Sequence, residues 1–431
     1  MRGRGGLLVV LSALAGCERP ERFQPPPPET SPEELVTLHE AVRVAGLDDR
    51  RFDHARYWSG VTPYLGGTVQ AAVVGTSAEG RDIRLLRYGR GAVPVLLWSQ
   101  MHGDESTASM ALADIVRFFH EQPEHPLARR IAEGATVYMV PMLNPDGAER
   151  FRRRNAQGID VNRDARRLQT PEGRLLKALN DSLSPAFGFN LHDQNAAVRV
   201  GDSDRGVAIA LLTPAFDSAR SVDDKRRRAM QVASVVLTAM RPLVDDHIAK
   251  YDDTFNPRAF GDLIGAWGAS TVLIESGAWR DDPQKQHLRR TNFVGILSAL
   301  DAIATGSYAH YDPSLYDALD FNGRRVPDLL AAGGTLAVPG LPPLQTDLLI
   351  QYELPLLQDS AVVVDIGDMG EEEAQDTLDL TGLFVIPLPE MRDARGGVDT
   401  GAPAWFEVAE DAGGQRVRFR FEGRRPANLP S

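Results

Sequence analysis

Between Thr68 and Leu300, apolar runs of strand length alternate with longer segments of helical spacing. That alternation restricts the fold of this 431-residue chain more than any other feature. Val69 to Val74 and Ile83 to Tyr88 flank Gly75-Thr76-Ser77-Ala78-Glu79-Gly80 as a hairpin-like pair. Val93 to Trp98, Ala135 to Pro141, Phe187 to Leu191 and Ser270 to Ile274 read as buried strands. Ser106 to Phe119, with Met110, Ala113, Ile115 and Phe118-Phe119 at helical spacing, reads as a helix. So do Glu172 to Leu183, Asp223 to Leu243 and Pro283 to Ile303. Unbroken apolar strands have two faces to cover, and the intervening helices cover them. The expected fold is α/β: a mixed, largely parallel central sheet with helices on both faces. In such sheets ligands gather at the carboxyl ends of the strands.

The chain divides into four segments. Residues 1–16 begin with Arg2 and Arg4 and continue with a short apolar core, Leu7 to Ala15, too short to span a bilayer. Leu14-Ala15-Gly16-Cys17 follows and resembles a bacterial lipobox, in which Cys17 becomes the lipidated first residue; the plain alternative is a secretory signal. Residues 17–31, with Pro25-Pro26-Pro27-Pro28, read as a semi-rigid tether. Residues 32–305 hold the strand–helix pattern and open on a helix near Pro32, with Ser31 as N-cap and Glu34 three residues on. Residues 306–431 are rich in Pro and Gly. Their short strand candidates are Leu348 to Tyr352, Ala361 to Asp365, Gly382 to Pro387, Ala404 to Val408 and Arg416 to Phe421. They suggest a small C-terminal all-β domain.

The formal net charge of −12 argues against nonspecific nucleic-acid binding. Cys17 is the only cysteine, which excludes an intramolecular disulfide and a multi-cysteine zinc site. The expected surroundings are the bacterial cell envelope, with a membrane as partner through a lipid on Cys17. Glu18 rather than Asp after Cys17 favours the outer membrane; the expected placement is an outer-membrane or periplasmic face, and otherwise secretion.

The residues with chemistry sit at strand ends. His102 and Glu105, in Met101-His102-Gly103-Asp104-Glu105, follow the strand Val93 to Trp98. His192 ends Phe187 to Leu191. Two imidazoles and one carboxylate with an open position form the usual catalytic zinc set. Glu275 directly follows Val272-Leu273-Ile274, where a carboxylate is costly to bury without a purpose. It is either paired structurally with an Arg or a general base. His120 and His125 also suggest a helix-borne site, but they are five apart and Pro123 breaks the helix between them. After the turn Asn144-Pro145-Asp146-Gly147 comes a basic run: Arg150, Arg152, Arg153, Arg154, Arg163, Arg166 and Arg167. It is either a solvated face or a holder for anionic substrate and a developing oxyanion. Asp160 is placed to orient a metal-bound His through its second ring nitrogen.

Taken in order, these segments resemble the zinc carboxypeptidase family, the metallocarboxypeptidases related to carboxypeptidase A, over roughly Thr68 to Leu300. The carriers are Gly75 to Arg81, His102-Gly103-Asp104-Glu105, Asn144-Pro145-Asp146-Gly147, Arg153 to Arg163, His192 and Glu275. The resemblance implies one zinc ion on His102, Glu105 and His192. It makes Glu275 the general base, which passes its proton to the leaving amine. It makes Arg153, rather than Arg154, the group that polarises the scissile carbonyl. It places Asn162 and Arg163 on the terminal carboxylate of a peptide with a free C-terminus. The implied activity is zinc-dependent hydrolysis of C-terminal peptide bonds. The alternatives are a related zinc amide hydrolase acting on acylated amino acids or cell-wall peptides, and an inactive binding protein. Departures from the family's pattern bear on substrate choice: Asp104 and Asp164 replace its usual residues, Asp193-Gln194 follow the third ligand, and the Glu105-to-His192 gap of 87 residues is short. Tyr251, Arg258 and Trp267 compete for the place of the substrate-capping Tyr.

Overall fold

The computed structural model of the chain describes residues 29–354, 359–370 and 372–424. Cys17, the signal-like segment and most of the Pro-rich tether lie outside them. Helix α1 (Pro32–Val42) starts on a capping box: Ser31 Oγ accepts from Glu34 N, and the Glu34 carboxylate accepts from Ser31 N at 2.8 Å. After α2 (His54–Val61) comes the hairpin of β1 (Val69–Thr76) and β2 (Asp82–Gly89). Then follow β3 (Val93–Ser99), α3 (Thr107–Glu121), α4 (Pro126–Gly134), β4 (Ala135–Val140), α5 (Pro145–Glu149) and α6 (Pro171–Leu183). Next come β5 (Phe187–Asp193), β6 (Val198–Val200), β7 (Ile209–Leu212), α7 (Asp224–Val244) and β8 (Ile248–Lys250). The series closes with α8 (Phe260–Trp267), β9 (Ser270–Ser276), α9 (Gln286–Thr305), α10 (Ser314–Asp317) and β10 (Asn322–Arg325). His120 and His125 fall on either side of the break between α3 and α4, as Pro123 requires.

The main sheet has eight strands in the order β1-β2-β4-β3-β5-β9-β7-β8. Its centre, β4-β3-β5-β9, is parallel; β1, β2 and β7 join by antiparallel pairing. Strand β3 shows why both faces carry helices. Val95 and Leu97 enter the core formed with α3, α7 and α9, whereas Leu96 and Trp98 enter the opposite core with α6 and α8. All four are fully buried, each contributing roughly 1.5–3 kcal/mol. The order β3-β5-β9 brings the ends of three adjacent parallel strands together. In register, His192 stands beside Glu275.

A second core lies in a sheet of β11 (Leu329–Leu336), β12 (Leu344–Leu354), β13 (Asp359–Gly367), β14 (Asp376–Asp379), β15 (Phe384–Pro387), β16 (Trp405–Ala409) and β17 (Val417–Glu422). Between α9 and β11 the chain still packs on the first body. Tyr316 of α10 joins its core, and β10 pairs antiparallel with β6. Gly323 of β10 has no room for a side chain: a Cβ there would lie 1.7 Å from the Gly201 carbonyl oxygen. Among the described residues no helix is long and apolar enough to cross a membrane.

Candidate metal centre and substrate pocket

The loop after β3 is held by segments that are distant in sequence. Gly103 N donates to Arg152 O at 3.0 Å, and Asn144 Nδ2 donates to Met101 O at 3.1 Å. A Cβ on Gly103 would meet the Gly147 carbonyl carbon at 1.9 Å, so the loop needs glycine where it crosses the Asn144–Gly147 turn. Asp146 in that turn ties in the first hairpin. Its carboxylate accepts from Ser77 Oγ at 2.7 Å, Glu79 N at 3.0 Å and Arg81 Nη1 at 2.7 Å. Ser77–Arg81, Asn144–Gly147 and His102–Glu105 therefore form one interlocked support.

On that support, His102, Glu105 and His192 converge, all three buried, with candidate ligand atoms within 4.8 Å of one another. His102 Nδ1 lies 2.7 Å from Glu105 Oε1, and His192 Nδ1 lies 2.6 Å from Glu105 Oε2. Two imidazole nitrogens turned toward one carboxylate are a donor set that fits zinc. The other ring nitrogen of His102, Nε2, faces Asp160 Oδ1 at 3.1 Å, the arrangement that fixes a tautomer and ring orientation. Burial works against charge on His102, but Glu105 and Asp160 raise its pKa to about 9. Burial holds His192 below its usual value despite the adjacent Glu105. Burial pushes the Glu105 carboxyl up, yet the two imidazoles outweigh it and hold the group well below the usual carboxylate range.

The cluster opens onto a cavity of about 680 Å³. Glu275 lines it; burial, and then repulsion from Glu105, push its carboxyl well above the ordinary range. Glu275 Oε2 is buried and without a partner, and no Arg pairs with it among the described residues. Of the basic run, Arg153 enters the site, with Nη1 3.1 Å from Glu105 Oε1 and Nη2 3.0 Å from Asp160 Oδ2. Arg154 is exposed and donates to Gly158 O, and Arg150 pairs with Glu79. Asn162 and Arg163 line the cavity. Asn162 Oδ1 accepts from Phe260 N at 2.9 Å, which turns its amide nitrogen free for another acceptor.

Residues 64–181 match the family model described as zinc carboxypeptidase. This part of the chain is similar to the zinc carboxypeptidase family. It contains His102, Glu105, Arg153, Asp160, Asn162 and Arg163; His192 and Glu275 lie beyond it. The chain is similar to Carboxypeptidase SOL1 of Arabidopsis thaliana, 35% identical over 65 residues, 15% of this chain and 13% of that protein. The match thus spans about an eighth of the length of that relative. Among solved structures, the chain resembles a metallo-carboxypeptidase from Pseudomonas aeruginosa at 20% identity and TM-score 0.49, covering 61% of this chain and 71% of that one. It also resembles a metallo-carboxypeptidase from Burkholderia cenocepacia, at 17% identity and TM-score 0.48, covering 60% and 71%.

The departures noted in the sequence have physical roles. Asp164 is buried, and its carboxylate accepts from Gln169 N, Thr170 N and Thr170 Oγ1, so it builds the start of α6. Asp104 lines the cavity and is pushed up to about 6 by burial and by Glu105. Of the three candidates for a substrate-capping group, Tyr251 lines the cavity, and Arg258 and Trp267 are not among its lining residues. Tyr251 is pushed up to about 12, first by the Glu275 carboxylate and then by burial. Sequence reasoning missed Arg50 and Lys285, which also line the cavity, and the part that Asp193 plays. Only Asp193 carried a local signal, its place directly after His192.

Proposed function

We propose that the chain is a zinc-dependent metallocarboxypeptidase that releases C-terminal residues from peptides. The observation that carries this reading is the meeting of His102, Glu105 and His192 beside Glu275 and Arg153 on one cavity that Asn162 and Arg163 also line. A zinc ion on the three ligands supplies a Lewis acid that lowers the pKa of water. Glu275, made basic by its burial, takes a proton from the attacking water and returns it to the leaving amine. Arg153, half-buried and already aimed at the ligand cluster, donates to the oxygen on which negative charge grows. Arg163 and the free amide nitrogen of Asn162 hold the terminal carboxylate.

The test is a peptide library offered with free or amidated C-termini. Release of single C-terminal residues is expected from the free peptides alone, and its loss with a chelator and return with zinc. Equal cleavage of amidated peptides, or release only from short acylated amino acids, would favour the amide-hydrolase alternative.

Placement of the chain in the cell envelope through Cys17 is part of the same proposal. It expects wild-type protein, expressed in a bacterium with its own leader, to carry a lipid on Cys17 and to fractionate with membranes. Cys17→Ser should be soluble after processing or retain its leader. Intact-mass measurement of a wild-type chain without a lipid would overturn that placement.

A further inference from the structure

Lys285 is a buried amine that the proposed chemistry does not use. It is 2% exposed, and its backbone adopts the left-handed conformation, φ 52°, at the residue preceding α9. A buried ammonium persists only with partners. Here Nζ donates to Asp193 Oδ2 at 3.1 Å and to Ser276 O at 2.9 Å. Asp193 directly follows His192 on β5, and Ser276 directly follows Glu275 on β9; the two are paired in register. One ammonium thus bridges the ends of the two strands that carry the third ligand and the proposed base.

Asp193 extends the bridge to the remaining ligands. Its backbone N–H donates to Glu105 Oε2 at 3.2 Å. Its Oδ2 also accepts from Thr107 Oγ1 at 2.7 Å and from Arg50 Nη2 at 3.3 Å. Arg50 Nη2 in turn donates to Asp104 O, between His102 and Glu105, at 3.0 Å. Glu105 is thus held by the Asp193 backbone, and the segments bearing His102 and Glu275 are tied to the Asp193 carboxylate through Arg50 and Lys285, the two cations that face it.

We infer that Lys285, acting through Asp193 and the Ser276 carbonyl, is a positioning residue that locks the strand ends bearing His192 and Glu275. This inference rests on the metal-site reading, not on which substrate is cleaved. Outer partners of metal ligands typically change metal affinity or activity by 10–100-fold when removed.

The experiment uses the full chain. Its zinc dissociation constant is measured by competition with a chromogenic chelator, and kcat and KM are measured at saturating zinc. Lys285→Met is expected to weaken zinc about 10–100-fold. It should also lower kcat, with KM within a few-fold of wild type. Lys285→Arg, which keeps the charge and the donors, should recover part of both losses. Lys285→Gln keeps a donor for Ser276 but loses the charge facing Asp193, and should fall between. It replaces Lys285→Met if that variant does not fold. Zinc affinity and kcat within about twofold of wild type in any folded uncharged variant would overturn the inference. A chain that binds zinc but cleaves no peptide would overturn the peptidase reading instead, leaving the zinc constants to judge Lys285.

Discussion

Glu275→Gln is expected to lower kcat by about 10²–10⁴-fold, the usual worth of a positioned general base. KM should change little, and the zinc content should stay at the wild-type level. The substitution conserves volume and one hydrogen-bonding oxygen, but an amide cannot accept the proton. Glu275 sits on β9 in register with His192, inside the cavity, with Oε2 buried and unpartnered. It is not one of the converging ligand set, so its loss should spare the metal. Steady-state kinetics on a cleavable peptide, with zinc measured on the same sample, check this. An active Glu275→Gln variant would remove Glu275 from the chemistry.

The largest stability effect is expected at a buried ion pair that does not line the cavity. Asp114 of α3 and Arg289 of α9 are both fully buried. Asp114 Oδ1 accepts from Arg289 Nη2 at 2.6 Å and from Val44 N at 2.8 Å; Oδ2 accepts from Arg289 Nε at 2.7 Å and lies 3.1 Å from His39 Nε2. Arg289 also donates to Leu47 O and Val44 O. The network pins α1 and the loop after it onto α3 and α9. Asp114→Ala leaves a buried guanidinium uncompensated, which costs about 3–5 kcal/mol. Denaturant unfolding of the full chain should show that loss. The double variant Asp114→Ala, Arg289→Met should recover part of it, since removing both charges removes the burial penalty.

The elements legible in the sequence were those whose period or caps are local. Ser31 and Glu34 announced α1, and the apolar run Val93 to Trp98 announced β3. Strand β11, Leu-Leu-Ala-Ala-Gly-Gly-Thr-Leu, was not legible, because it lacks β-branched runs and is held by β12, β14 and β15. Strands β7 and β8 are four and three residues long and take their order only from the sheet. Pairing of β10 with β6, which keeps residues past Thr305 on the first body, is a contact between segments about 120 positions apart that no local pattern encodes. In the site, His102, Glu105, His192 and Glu275 were legible because each ends or follows an apolar strand. Lys285 was not: its partner Asp193 is 92 positions away, and an isolated lysine before a helix looks like surface. Asp164 read as a departure, yet its bonds to Gln169 and Thr170 make it a local turn-former.

His102, Glu105 and His192 are expected to hold one zinc ion. Metal analysis of the full chain after dialysis against trace zinc tests it most directly, with His192→Ala beside it. One zinc per wild-type chain is expected, with little retained by His192→Ala. A wild-type chain without zinc, or a His192→Ala chain that retains it fully, would rule out a zinc site on these three residues.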